Sequence, residues 1–258
     1  MAKASKPSAA AAAKKPATAA VTANQPPATA AAREPATGKV IALDLAPAEP
    51  LSEATQRYFD KCVDKLGLLP NVLKAYAFDE VKLNAFVAMY NDLMLGDSGL
   101  GKLEREMIAV VVSAANRCHY CLVAHGAAVR ELAADPAFGE IMVTNYRAAE
   151  LAPRHRAMLD FAWRLTTAPF DVGGADREAL RAAGFSDRDI WDIAAVVGFF
   201  NMSNRVATAT EMRPNEEYTY RARSPAARDA AAAPPQPVAP RRRGRRAAAR
   251  GSRRRQAD

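Results

Sequence analysis

Cysteine is nearly absent from this chain, with three in 258 residues, and histidine is as scarce at three. So small and odd a number of cysteines in a chain this long does not build the disulfide framework of a secreted scaffold. A reducing cytoplasm is therefore the expectation. No apolar run approaches the roughly 18 residues that cross a bilayer, so no membrane partner is expected. The early stretch "SAAAAAKKPATAA" lacks the apolar centre of an export signal and is interrupted by lysine. Clear period-2 alternation is missing too. The Val-rich run "MIAVVVSAA" follows the charged turn "LERE" and would find no strand to pair with. It reads as helix.

The composition is uneven. Residues 1–40 are almost all Ala, Pro, Thr, Ser and Lys, and residues 221–258 are Ala, Pro and Arg. Neither segment has the apolar periodicity that offsets ordering entropy, so both are expected to be disordered tails. Between them, residues 41–220 suit one domain. The tails carry +5 and +10, and the whole chain +8, which leaves −7 for the middle. The body is acidic and the high pI belongs to the tails.

Caps and apolar spacing lay out an all-α, multi-helix domain. Ser52 opens a helix that stops at Gly67, with Cys62 on its apolar face as core. Further helices begin at Pro70, Asp79 and "LERE"; a cysteine-bearing one follows to about Ala134, and another starts at Asp135-Pro136. Ser186 with Asp189 makes a capping-box start for the long segment that contains "GFFNMSN". Trp163 and Trp191 fall at core spacing. Shifted by 85 positions, "IAVVVSAAN" (108–116) lies over "IAAVVGFFN" (193–201), which suggests an internal helical repeat. In that register Ser203 and Val206 stand where the first copy has Cys118 and Cys121.

The reactive chemistry is concentrated in "NRCHYCLVAHG". Cys118, Cys121 and His125 lie on a narrow arc of one helical face. Cysteines three apart on a helix place their Cα atoms roughly 5–6 Å apart, within disulfide range. Asn116 is the expected N-cap, which puts both thiols near the helix start, where free N–H groups favour thiolate. His125, one turn on, can take a proton from Cys121. The dipole favours ionisation of Cys118, the histidine that of Cys121, and proton acceptance is expected to decide for Cys121. Glu106 can hold His125 if its helix packs alongside. His119 and Tyr120 are candidates to line the site.

The spacing Glu106-x11-Cys118-x2-Cys121-x3-His125 resembles the signature of the alkylhydroperoxidase D and carboxymuconolactone decarboxylase family. The text "LMLGDSGLGKLEREMIAVVVSAANRCHYCLVAHGAAV", with "LGLLPNVLKAYA" before it, is similar to the family's peroxidase-related branch. The resemblance implies an all-helical homo-oligomer that reduces hydroperoxides with no bound cofactor. In it Cys121 would attack the peroxide, Cys118 would resolve the sulfenic acid as a disulfide, and Glu106 and His125 would relay protons. A dithiol of dihydrolipoyl or thioredoxin type would then restore the thiols. Tyr120 stands where the family pattern has a helpful histidine, and a histidine appears one place earlier, at 119. The family's decarboxylases do not need two thiols.

Two other readings compete. Cys118, Cys121 and His125 could be metal ligands, with Cys62, His119, His155 or a carboxylate as a fourth. Alternatively the arginine-rich tail could associate with nucleic acid through phosphates alone, around an idle oligomeric core.

Overall fold

A computed structural model describes residues 38–224. The expectations for the two tails, disorder and nucleic-acid association, fall on residues outside this range apart from their innermost few positions. Among the described residues every regular element is helical. The helices are α1 (Glu53–Leu66), α2 (Asn71–Tyr76), α3 (Glu80–Leu95), α4 (Lys102–Ala115), α5 (His119–Ala133), α6 (Pro136–Asn145), α7 (Pro153–Thr167), α8 (Gly174–Ala182), α9 (Asp187–Ala209) and α10 (Glu217–Tyr220). None is long and apolar enough to cross a membrane.

The caps work as the side chains dictate. Ser52 Oγ accepts from Thr55 N–H, and α1 stops at Gly67 in the left-handed conformation. Asp79 and Asp135 cap α3 and α6 in the same way, and Ser186 with Asp189 closes a capping box on α9.

The core is arranged around α4. Met107, Ile108, Ala109, Val110, Val111 and Val112 are all fully buried, because α3, α5, α6, α7 and α9 surround the helix. A helix that is apolar on all sides is one that neighbours cover on all sides. That is why its β-branched run mimics a strand in sequence. Each such Val or Ile contributes about 1.5–3 kcal/mol through burial.

The helices α4 and α9, which carry the 85-residue echo, pack against each other. Their matching asparagines meet: Asn116 Nδ2 donates to Asn201 Oδ1 at 3.1 Å. Phe199 and Phe200 of "GFFNMSN" are buried within the chain, whereas Met202 is exposed. Trp191 departs from expectation. It is 73% exposed, since the core side of its turn is taken by Ile190 and Ile193.

Candidate active site

The turn between α4 and α5 places the two thiols. Asn116 ends α4 instead of capping α5 as expected. Arg117 follows in the left-handed region (φ 54°). The Cys118 N–H then bonds back to Ser113 O at 3.0 Å, and the Arg117 N–H to Ala114 O at 3.1 Å. These are the two bonds of a Schellman stop. Its last residue, Cys118, is also the N-cap of α5. The chain reverses within two residues, so Cys118 sits at the helix mouth and Cys121 at the third helical position.

Both sulfurs are free thiols and both residues are 1% exposed. The Cys121 thiol donates to the Cys118 sulfur, and this lowers the Cys118 pKa from near 9 to about 6. The Cys121 backbone N–H, the Thr208 hydroxyl and the charge of His125 help, and burial opposes them. The same hydrogen bond, with burial and the Cys118 charge, pushes Cys121 up; the Ser203 and Ser113 hydroxyls pull it down. Both shifts run in the direction of the helix-start argument, which favours ionisation at Cys118, and against the direction that proximity to His125 suggests.

Access favours the other sulfur. A cavity of about 670 Å³ is lined by Cys121, His125 and Glu106, together with Tyr120, Phe200 and Ser203. Cys118 does not line it. Instead it packs with Ile41, Ala207 and Met212.

Glu106 projects from α4 and His125 from α5, and the packing of these helices joins them. His125 Nδ1 lies 2.7 Å from Glu106 Oε2, with both side chains 12% exposed. Phe200 sets its ring against the imidazole, edge to face, 4.6 Å between centroids. With Nδ1 engaged by the carboxylate, Nε2 is the nitrogen left to exchange a proton.

The two candidate lining residues part company. Tyr120 is buried on the cavity wall, and its hydroxyl accepts from Val72 N–H at 3.0 Å, near the start of α2. His119 does not line the cavity. It is exposed over a shallower hollow with Arg117, Arg147 and Trp163. On a helix it lies about 160° around from Cys121, so one face cannot hold both.

Three residues that carry no motif join the site. Ser113 and Ser203 put hydroxyls beside Cys121, and Thr208 puts one beside Cys118. The internal echo signalled one of them, since Ser203 aligns with Cys118. Cys62 is half-buried on the wall of the same cavity and not deep in the core. Among the described residues, no group of three or more His, Cys, Asp and Glu side chains is placed to hold a metal ion.

A model of the carboxymuconolactone decarboxylase family matches residues 83–162. A solved structure of an uncharacterized peroxidase-related protein from Silicibacter sp. TM1040 is 65% identical, with a TM-score of 0.69, over 70% of this chain and 95% of its own. An uncharacterized peroxidase-related protein from Ralstonia eutropha JMP134, described as an alkylhydroperoxidase AhpD core, is 43% identical. Its TM-score is 0.69, and the match covers 72% of this chain and 98% of that one. The debrominase Bmp8 in its apo form, 17% identical with a TM-score of 0.59 over 72% and 97%, shares the fold alone. No curated protein matches the chain.

Proposed function

The chain belongs to the alkylhydroperoxidase D-like, carboxymuconolactone decarboxylase family, in its peroxidase-related branch, and from that premise we propose that it reduces organic hydroperoxides with its own dithiol. The observation that carries the reading is that Cys121, His125 and Glu106 line one cavity, with a second sulfur hydrogen-bonded to Cys121 behind it.

The chemistry runs in two steps. As the peroxide enters, Cys121 passes its proton to the His125–Glu106 pair. Its sulfur then attacks the terminal oxygen of ROOH, and the O–O bond breaks. The departing alkoxide takes the proton back from His125 and leaves as ROH. Cys121 is now a sulfenic acid. The Cys118 thiolate attacks that sulfur and displaces hydroxide, which protonates to water, and a Cys118–Cys121 disulfide forms. An external dithiol, of dihydrolipoyl or thioredoxin type, reduces it through a mixed disulfide.

The low pKa of Cys118 serves the second step. At neutral pH the resolving sulfur is already a thiolate. Ser113 and Ser203 stabilise the momentary charge on Cys121, which its partner's charge would otherwise oppose. A homo-oligomer remains part of this reading.

The test is peroxide-dependent oxidation of an added dithiol. Turnover that is lost in Cys121→Ser supports the reading; no turnover with any of several hydroperoxides and dithiols refutes it.

A further inference from the structure

The cavity is far larger than the chemistry at Cys121 needs. One water occupies roughly 30 Å³ of the liquid, and organic ligands fill pockets of roughly 300–1,000 Å³; this cavity, at about 670 Å³, falls in the second class. Its inner wall is apolar, formed by Val72, Phe86, Val87, Met94, Phe199 and Phe200. Its mouth is also apolar: Leu66, Leu95 and Leu132 line it while 39%, 62% and 44% exposed.

The charge at that mouth reverses the charge of the body. Residues 41–220 carry −7. Yet the charged residues on the cavity are Lys61, Lys65, Lys102 and Arg221 against Glu106 and Glu131. Glu106 is engaged with His125, and Glu131 faces Arg221 at 4.0 Å. The lysine ion pairs among the described residues are those of Lys39 and Lys82, so Lys61, Lys65 and Lys102 are all without one. Lys61 and Lys65 are also i,i+4 neighbours on α1, a like-charge arrangement that is unfavourable until an anion answers it.

An apolar chamber with a reactive sulfur inside and unanswered ammonium groups at its mouth fits a ligand with a tail and an anionic head. Resting on the hydroperoxide reading above, we propose that the substrate is an aliphatic carboxylate carrying its hydroperoxide on the chain. The chain lies along Phe86, Met94 and Phe199, which brings the –OOH to Cys121, and the carboxylate is met by Lys61, Lys65 and Lys102.

The experiment compares a fatty-acid hydroperoxide with its methyl ester, using the full chain and the triple variant Lys61→Gln/Lys65→Gln/Lys102→Gln. Dodecanoate and methyl dodecanoate serve as unreactive binding probes by calorimetry. Both proteins carry the same basic tails, so the comparison isolates the mouth. The acid-to-ester ratio of kcat/KM is expected to fall about tenfold in the variant, each exposed charge supplying roughly a twofold factor. The preference should also weaken with added salt. Equal handling of acid and ester, or a ratio the variant does not move, overturns the proposal. Turnover of a small hydroperoxide without dodecanoate binding overturns it while leaving the hydroperoxide reading intact. Mouth-dependent binding of dodecanoate without turnover of any hydroperoxide sinks that reading, and with it the reactive part of the substrate, while supporting the chain-and-carboxylate selectivity.

Discussion

Glu106 Oε2 and His125 Nδ1 are 2.7 Å apart although 19 residues separate them, and they come from two helices that run side by side at the centre of the fold. In the proposed mechanism the pair supplies the acid–base group beside the dithiol, and the carboxylate fixes the orientation of the imidazole. Glu106→Gln keeps the shape and removes the charge. The expected result is a fall of roughly 10²–10⁴ in kcat/KM for a hydroperoxide, in the range of general acid–base catalysis. Steady-state kinetics of the two proteins at one pH checks this, and an unchanged kcat/KM would contradict the relay.

The thiol pair should leave a mark on stability. Cys118 is lowered from near 9 to about 6, and Cys121 is raised. Between pH 6 and 9 the folded pair holds one proton and the unfolded pair two, so stability rises with pH. Above about 9 the unfolded pair holds none while the folded pair keeps one, so stability falls. The slope on each side is at most about 1.4 kcal/mol per pH unit. Urea unfolding of the reduced protein against pH, minus the same curve for the Cys118→Ser/Cys121→Ser variant, should give a maximum near pH 9. A flat difference curve would mean the thiols do not share a proton.

Tyr120 ties the reactive helix to α2 through its hydroxyl. Tyr120→Phe removes the acceptor and leaves the Val72 N–H without its partner at a helix start. The expected cost is about 1–2 kcal/mol, comparable to loss of an N-cap. Chemical denaturation measures it.

Gly139 brings α6 tightly against α5. A Cβ there would stand 2.2 Å from Arg130 Cγ and 3.3 Å from Arg130 Cα. Arg130 cannot move aside easily, since it is buried and its guanidinium donates to the Arg221 and Tyr218 carbonyls. Gly139→Ala should therefore destabilise by about 1–3 kcal/mol, as overpacking does. Thermal unfolding of the variant tests this.

What could be read from the chain depends on the reach of each signal. The caps at Ser52, Asp79 and Ser186 act within three residues, so they are legible and the helices begin where they say. That Cys121 and His125 share a face of α5 follows from helical period alone, whereas Cys118, expected on the same face, is the N-cap and does not line the cavity. Contacts between helices lie beyond that reach. Nothing local distinguishes Glu106, paired and 12% exposed, from a solvated acid in a first turn. Asn116 is a good N-cap by type, but a stop built on Arg117, a non-glycine in the left-handed region, moves the cap to Cys118. Trp191 has core spacing and an outward side chain, because a long helix can satisfy its core with the neighbouring positions.

The most direct measurement is the mass of the peptide spanning residues 118–130 after the reduced protein meets one equivalent of organic hydroperoxide. The account predicts that this peptide loses both thiol hydrogens, with Cys118 and Cys121 joined and Cys62 unchanged. It also predicts that Cys118→Ser traps a sulfenic acid on Cys121. Oxidation confined to Cys62, or a dithiol left intact while the hydroperoxide persists, would contradict it.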